Sequence, residues 1–233
     1  MKISRVLYEK ALPLWQEAAK KPFVLEMARG TLSEEKFKRY MLQDYLYLQD
    51  YAEILKRALK QAEEQKEGCA KDSGEDSCST GPSLPDFLRG LIQVVEIETE
   101  NVHLPAMRQM GITEEEISRA ARLPAFAEYV TYMQRCLDKG IRSCLTALLQ
   151  CSWNYAYLSA EVCAHLPEEV ACSPYKSWFD AYTGRDYVEA NQRWIDFLDA
   201  ETEGIGEEEA EKLSQLFANC AIYENRLWDA LYA

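Results

Sequence analysis

Apolar residues in this chain return every three or four positions along most of its length, and almost nowhere every second position. That is the period of one face of an α-helix, and a chain patterned this way has no face to offer a sheet. Alternating β-branched runs and Asn-Gly hairpin turns are missing. Only 10 glycines and 8 prolines interrupt the sequence, so long helices are easily accommodated. The pattern predicts an all-α fold, with helices at about 3–20, 33–65, 85–110, 113–121, 124–139, 141–164, 174–182, 185–203 and 207–231. Boundary signals agree. Ser33 precedes Glu34 and Glu35, an N-cap with an acidic first turn. Thr113 to Glu116 forms a capping box, and Pro124 suits a first helical turn. Gly111 and Gly140 read as helix stops. Residues 66–83 are polar and rich in Gly and Ser; they predict a long exposed loop carrying Cys69 and Cys78.

The 233 residues are 48% hydrophobic, enough for one domain spanning 1–233 with a full core. A net charge of −13 argues against nucleic acid and against an anionic membrane surface, both of which need basic patches. The uncharged run from Leu145 to Ala160 is too short to span a bilayer comfortably and contains Thr146, Gln150, Ser152 and Asn154; it predicts a buried core helix. The stretch from Lys2 to Lys20 is amphipathic and mixed in charge, unlike a cleaved leader. Eight cysteines without any C-x-x-C spacing read as reduced thiols, which points to the cytoplasm.

The informative positions are polar residues where an apolar stripe calls for a core residue. At about 100° per residue, Phe37, Tyr40, Leu48, Tyr51 and Leu55 share a face, and Asp44 lies in its middle with Tyr47 one turn on. A carboxylate among aromatics is costly unless it is hydrogen-bonded or used. It is either a structural group held by a Tyr hydroxyl or a backbone group, or a functional one. In the last helix Leu213, Phe217, Cys220, Leu227, Trp228 and Leu231 share a face that includes Glu224. Burial raises a carboxyl pKa and so makes a Glu suited to acid–base work near neutrality. The structural alternative is an ion pair with an Arg, but Arg226 faces away. Cys151 and Tyr155 are i, i+4 neighbours on the uncharged helix. A buried Cys is usually a small apolar residue, and position alone does not raise Cys151 above that. The chain also has 14 Tyr, with Tyr129 and Tyr132 on one stripe and Tyr175 and Tyr182 flanking Trp178. Tyrosines, acids and a thiol together would suit a flat, polar heteroaromatic ligand.

Several stretches, in order along the chain, resemble the TenA family, also known as thiaminase II or aminopyrimidine aminohydrolase. They are Gly30–Ser33 with Lys36 and Phe37; Tyr40–Leu48; Tyr129 to Tyr132; Ala147 to Tyr155; Pro174 and Tyr175 with Trp178 and Tyr182; and Tyr223 and Glu224 followed by Leu227 and Trp228. The Q-D-x-x-Y, C-x-W-x-Y and Y-E-x-x-x-W segments are specific only in combination. The resemblance implies a haem-oxygenase-like helical bundle that binds no haem, assembled as a cytoplasmic homotetramer. It implies hydrolysis at the exocyclic methylene of a 4-amino-2-methylpyrimidine, releasing ammonia from the aminomethyl compound or the thiazole from thiamin, with no metal or cofactor. By the same resemblance Cys151 is the nucleophile, and Glu224 the acid–base residue that protonates the leaving amine and later activates water. Asp44 binds the aminopyrimidine edge, and Tyr47, Tyr129, Tyr155 and Tyr182 are pocket tyrosines. Two positions depart from the family: Gln150 stands where members often have proline, and Leu227 where an aromatic is common at the pocket wall.

Two other readings remain open at this point. Glu100-x-x-His103, with Glu96 one turn earlier, has the spacing of a di-metal oxygenase site on a helical bundle, although the second His lies in Glu161-x-x-x-His165 and does not repeat the motif. A non-catalytic pyrimidine-binding or regulatory protein would keep the pocket without turnover, but the chain lacks a basic recognition helix.

Overall fold

The computed structural model describes residues 2–70 and 82–233. Among these residues every regular element is helical: α1 (Ile3–Ala18), α2 (Pro22–Ala28), α3 (Glu34–Ala70), α4 (Leu84–Glu98), a π turn (Thr99–His103), α5 (Leu104–Gln109), α6 (Glu114–Arg119), α7 (Pro124–Asp138), α8 (Ile141–His165), α9 (Pro167–Cys172), α10 (Lys176–Thr183), α11 (Arg185–Glu201) and α12 (Glu207–Tyr232). None is long and apolar enough to cross a membrane.

The expected boundary chemistry is present. Ser33 Oγ accepts from the Lys36 N–H, and both arms of the Thr113–Glu116 capping box are formed. Pro22, Pro124 and Pro167 each sit in a first turn, where a missing N–H costs nothing. Gly111 and Gly140 lie where helices end.

The fold is arranged around α8. It packs against α12, α7, α11, α10, α1 and α3, and its residues from Cys144 to Gln150 are buried all round. This explains why the sequence carries no charge there. Trp15, Trp228, Tyr40, Tyr129 and Phe217 are among the largest side chains sealed in the surrounding core.

Three expectations need correction. The second long helix does not stop at 65 but runs to Ala70, because Lys, Gln, Glu and Ala are strong helix formers even without an apolar stripe. The loop expected at 66–83 therefore gives up its first five residues to α3; positions 71–81, with Cys78, and the side chain of Cys69 lie outside the described residues. The helix expected over 85–110 is instead α4 and α5 joined by a π turn, in which the Leu104 N–H reaches back five residues to the Thr99 carbonyl. The short helices α2 and α9 escaped the periodicity because they are only 7 and 6 residues long.

Candidate active site

Asp44 is buried on α3, and its Oδ2 carries two contacts. The Tyr40 hydroxyl, one turn earlier, donates at 3.3 Å, and His103 Nε2 lies 2.6 Å away. Tyr40 oxygen in turn accepts from Trp178 Nε1 at 2.9 Å. The π turn delivers His103 to this position. One extra residue in a turn rotates everything after it by about 100°, so Glu98 and His103, rather than Glu100 and His103, point the same way. Burial alone would push His103 down, but the Asp44 hydrogen bond and charge outweigh it and hold the imidazole above its ordinary range. Glu98 is pushed up to about 7 by burial and by the Asp44 charge, with His103 opposing.

Asp44, Tyr47, Tyr51, Glu98, Cys151, Ser152, Tyr155, Tyr182, Tyr187 and Trp194 line one cavity of about 100 Å³. The tyrosines frame it edge to face: Tyr155 meets Tyr182 at 4.9 Å and 61°, and Tyr182 meets Tyr187 at 5.0 Å and 85°. Tyr51 is tied to the Leu148 carbonyl and Tyr187 to the Ser152 carbonyl, which fixes both rings against α8. Such a cleft, largely aromatic with a few converging polar groups, matches a planar heterocycle that stacks and is read along one edge.

Cys151 is a free, half-buried thiol on this wall. Burial and then the Glu224 charge hold it well above its ordinary range, while the Tyr47 hydroxyl pulls the other way. Glu224 comes from behind, on α12, and is 1% exposed. Its Oε2 accepts from Asn154 Nδ2 at 2.9 Å, and its Oε1 has no partner. Burial raises Glu224 to about 8, against the opposing pull of Asn154, Gln150 and the Cys151 thiol. No Arg or Lys pairs with it among the described residues; Arg226 lies exposed, its guanidinium over the Tyr223 ring.

Five of the seven residues singled out from the sequence (Asp44, Tyr47, Cys151, Tyr155 and Tyr182) thus share the cavity wall. Glu224 and Tyr129 do not line it. Tyr129 is fully buried, stacked on Tyr47 at 5.7 Å and on Tyr223 at 5.8 Å, and its hydroxyl donates to Gln150 Oε1 at 3.0 Å. Leu227 is buried in the core rather than at the cavity. The sequence reading missed Glu98, Tyr187, Asn191 and Trp194 as lining groups. Glu98 continues the apolar stripe of Leu84, Leu88, Leu91 and Val95 on α4, a polar interruption of the kind that marked Asp44, and was passed over; the π turn that redirects His103 has no signature in the period. The proposed di-metal set does not converge: Glu96 pairs with Lys56 at 3.2 Å, and Glu100 and His165 are exposed.

Comparisons with known proteins converge on one family and one fold. The family model described as TENA/THI-4/PQQC matches residues 8–233. An aminopyrimidine aminohydrolase of Helicobacter pylori is 28% identical over 234 residues, covering 100% of this chain and 99% of that protein. One from Halalkalibacterium halodurans is 29% identical, covering 100% and 96%. Among solved structures, a TenA homologue from P. horikoshii OT3 superposes with a TM-score of 0.76 at 22% identity, over 100% of this chain and 99% of that one. A TenA family transcription regulator from Silicibacter sp. TM1040 gives 0.80 at 21%, over 100% and 97%. With its all-α fold and a family match running to the last residue, the chain belongs to the TENA/THI-4/PQQC family.

Proposed function

We propose that this protein is an aminopyrimidine aminohydrolase of thiamin salvage. It converts 4-amino-5-aminomethyl-2-methylpyrimidine to the 5-hydroxymethyl compound and ammonia, and acts as a thiaminase II on thiamin. What carries the reading is one arrangement: a carboxylate (Asp44) and a thiol (Cys151) on the same aromatic cavity, with a carboxyl that titrates near neutrality (Glu224) acting on the thiol from behind. The two full-length relatives named aminopyrimidine aminohydrolase support it.

The chemistry needs one covalent intermediate. Asp44, whose Oδ2 is already held by Tyr40 and His103, accepts from the exocyclic amine of the ring through its other oxygen and so fixes its orientation. The Cys151 sulfur bonds to the ring carbon beside the one bearing the methylene. Its proton passes through Glu224 to the departing amine, the C–N bond breaks, and ammonia leaves. Water then adds to the methylene while its proton returns through Glu224 to the sulfur, and the S–C bond breaks. Each step moves one proton, and a carboxyl at about 8 is suited to carry it in both directions.

On this reading residues 1–233 form one catalytic domain, and the working form is a homotetramer in the cytoplasm, which sedimentation and cell fractionation test. The function itself is tested by ammonia release from the aminomethyl pyrimidine by wild type and Cys151→Ala. Wild type is expected to turn over and the variant to lose at least 100-fold. An inactive wild type on both this amine and thiamin refutes the function, and a fully active variant refutes the covalent step.

A further inference from the structure

Helix α8 presents two adjacent stripes to the site. Cys151 and Tyr155 face the cavity; Gln150 and Asn154, each one residue earlier, are rotated by about 100° and sealed in the core at 0% and 1% exposure. Buried primary amides in a helix packed on all sides are costly unless their donors and acceptors are matched. Asn154 is matched by Glu224 Oε2 at 2.9 Å. Gln150 Oε1 is matched by the Tyr129 hydroxyl at 3.0 Å, while its buried Nε2 has no hydrogen-bond partner, as is also true of Glu224 Oε1, and its amide favours the ionised Glu224 carboxyl. Of two amides spaced i, i+4, Asn154 is therefore hydrogen-bonded to the carboxyl on the facing helix, and Gln150 carries an unpaired donor on the same stripe and is locked by Tyr129.

We propose that Gln150 and Asn154 are positioning residues for Glu224: Asn154 holds its Oε2 from one face of α8, Gln150 stands one turn away with an unpaired amide donor, and Oε1 is left for proton exchange with Cys151. Neither lines the cavity: Asn154 reaches the site through Glu224, and Gln150 also holds Tyr129. The proposal rests on the acid–base role given to Glu224 above. An amide pair also stabilises the ionised carboxylate in a site with no cation to do so. The titratable groups facing Glu224 from the packed elements are Asp44 and Tyr47 on α3, Tyr129 on α7, Cys151 and Tyr155 on α8, and Cys220 one turn back on α12. Asp44 opposes ionisation, and the buried thiols and phenols are held neutral, so the groups that favour it are the Asn154 amide, then the Gln150 amide and the Cys151 thiol. This pair makes position 150, where proline would supply no donor, a tuned position rather than a filler.

The test uses Asn154→Leu and Gln150→Leu, which keep volume and remove the donors, with Asn154→Gln as the amide-preserving control. Two readouts are taken: the pH profile of kcat/KM for ammonia release, and an infrared titration of the Glu224 carboxyl stretch in ligand-free protein, assigned by its loss in Glu224→Gln. The active pair holds one proton between Glu224 and Cys151, so activity rises as Glu224 ionises. Each Leu variant should move the acid limb and the infrared midpoint upward by about one pH unit, and Asn154→Gln should restore both partway. Unmoved midpoints in folded Leu variants overturn the proposal; if one Leu variant does not fold, the other carries the same reading. An inactive wild type with a shifting infrared midpoint defeats the function but upholds the positioning.

Discussion

Replacing Glu224 with Gln should stabilise this protein in a pH-dependent way, and the size follows from its burial. An ordinary Glu titrates at 4.5, whereas Glu224 in the fold titrates at about 8. The native state therefore holds the proton more tightly than the unfolded chain. The sign follows: with the folded pKa raised, the contribution to stability is fully present below 4.5 and is lost as pH rises through about 8. At pH 8 the unfolded chain gains about 4 kcal/mol by ionising this one group while the native state gains almost nothing. At pH 5 the same difference is about 1 kcal/mol. Glu224→Gln removes the ionisation and keeps the shape. Its new amide also leaves Asn154 an oxygen to donate to. Constant costs of the substitution, such as an unmatched donor, cancel between the two pH values, and so do all other titrating groups. The variant should thus gain about 3 kcal/mol relative to wild type between pH 5 and pH 8, or roughly 6–12 °C in Tm for a chain of this size. Urea unfolding of both proteins at both pH values measures it. A difference between variant and wild type that is the same at pH 5 and pH 8 would mean that Glu224 is not the desolvated group the fold implies, and the acid–base assignment would fall with it.

Other consequences can be checked separately. Asp44→Asn removes the charge proposed to read the substrate edge and should lower kcat/KM for ammonia release by about 10–100-fold; unchanged kinetics would remove Asp44 from recognition. The same substitution takes away what holds His103 above its ordinary range, so the imidazole should titrate at lower pH, followed by NMR in a chain with 2 His; a midpoint that stays put would contradict the pair. Gly30 sits at φ +69°, and a Cβ there would lie 2.8 Å from the Pro174 ring, so Gly30→Ala should cost roughly 1–3 kcal/mol in denaturant unfolding.

The helical class was legible from the sequence because burial imposes a period on each helix whatever it packs against. The same period exposed Asp44 and Glu224, since a carboxylate inside an apolar stripe breaks a local rule. It could not single out Cys151, because a small thiol on a buried face breaks none; resemblance to a family supplied that assignment. What faces a stripe was decided only in three dimensions. The π turn at 99–103 inserts one residue into a helical pattern and turns His103 onto Asp44, beside Glu98 at the end of α4, while Glu100 stays exposed. Gln150 and Asn154 read as stray polar residues on α8 until α7 and α12 are packed against them and Tyr129 and Glu224 become their respective partners. Periodicity reports which side of a helix is buried; the identity of the group met there depends on packing between segments 70 residues apart, as for Asn154 and Glu224, and no local pattern encodes it.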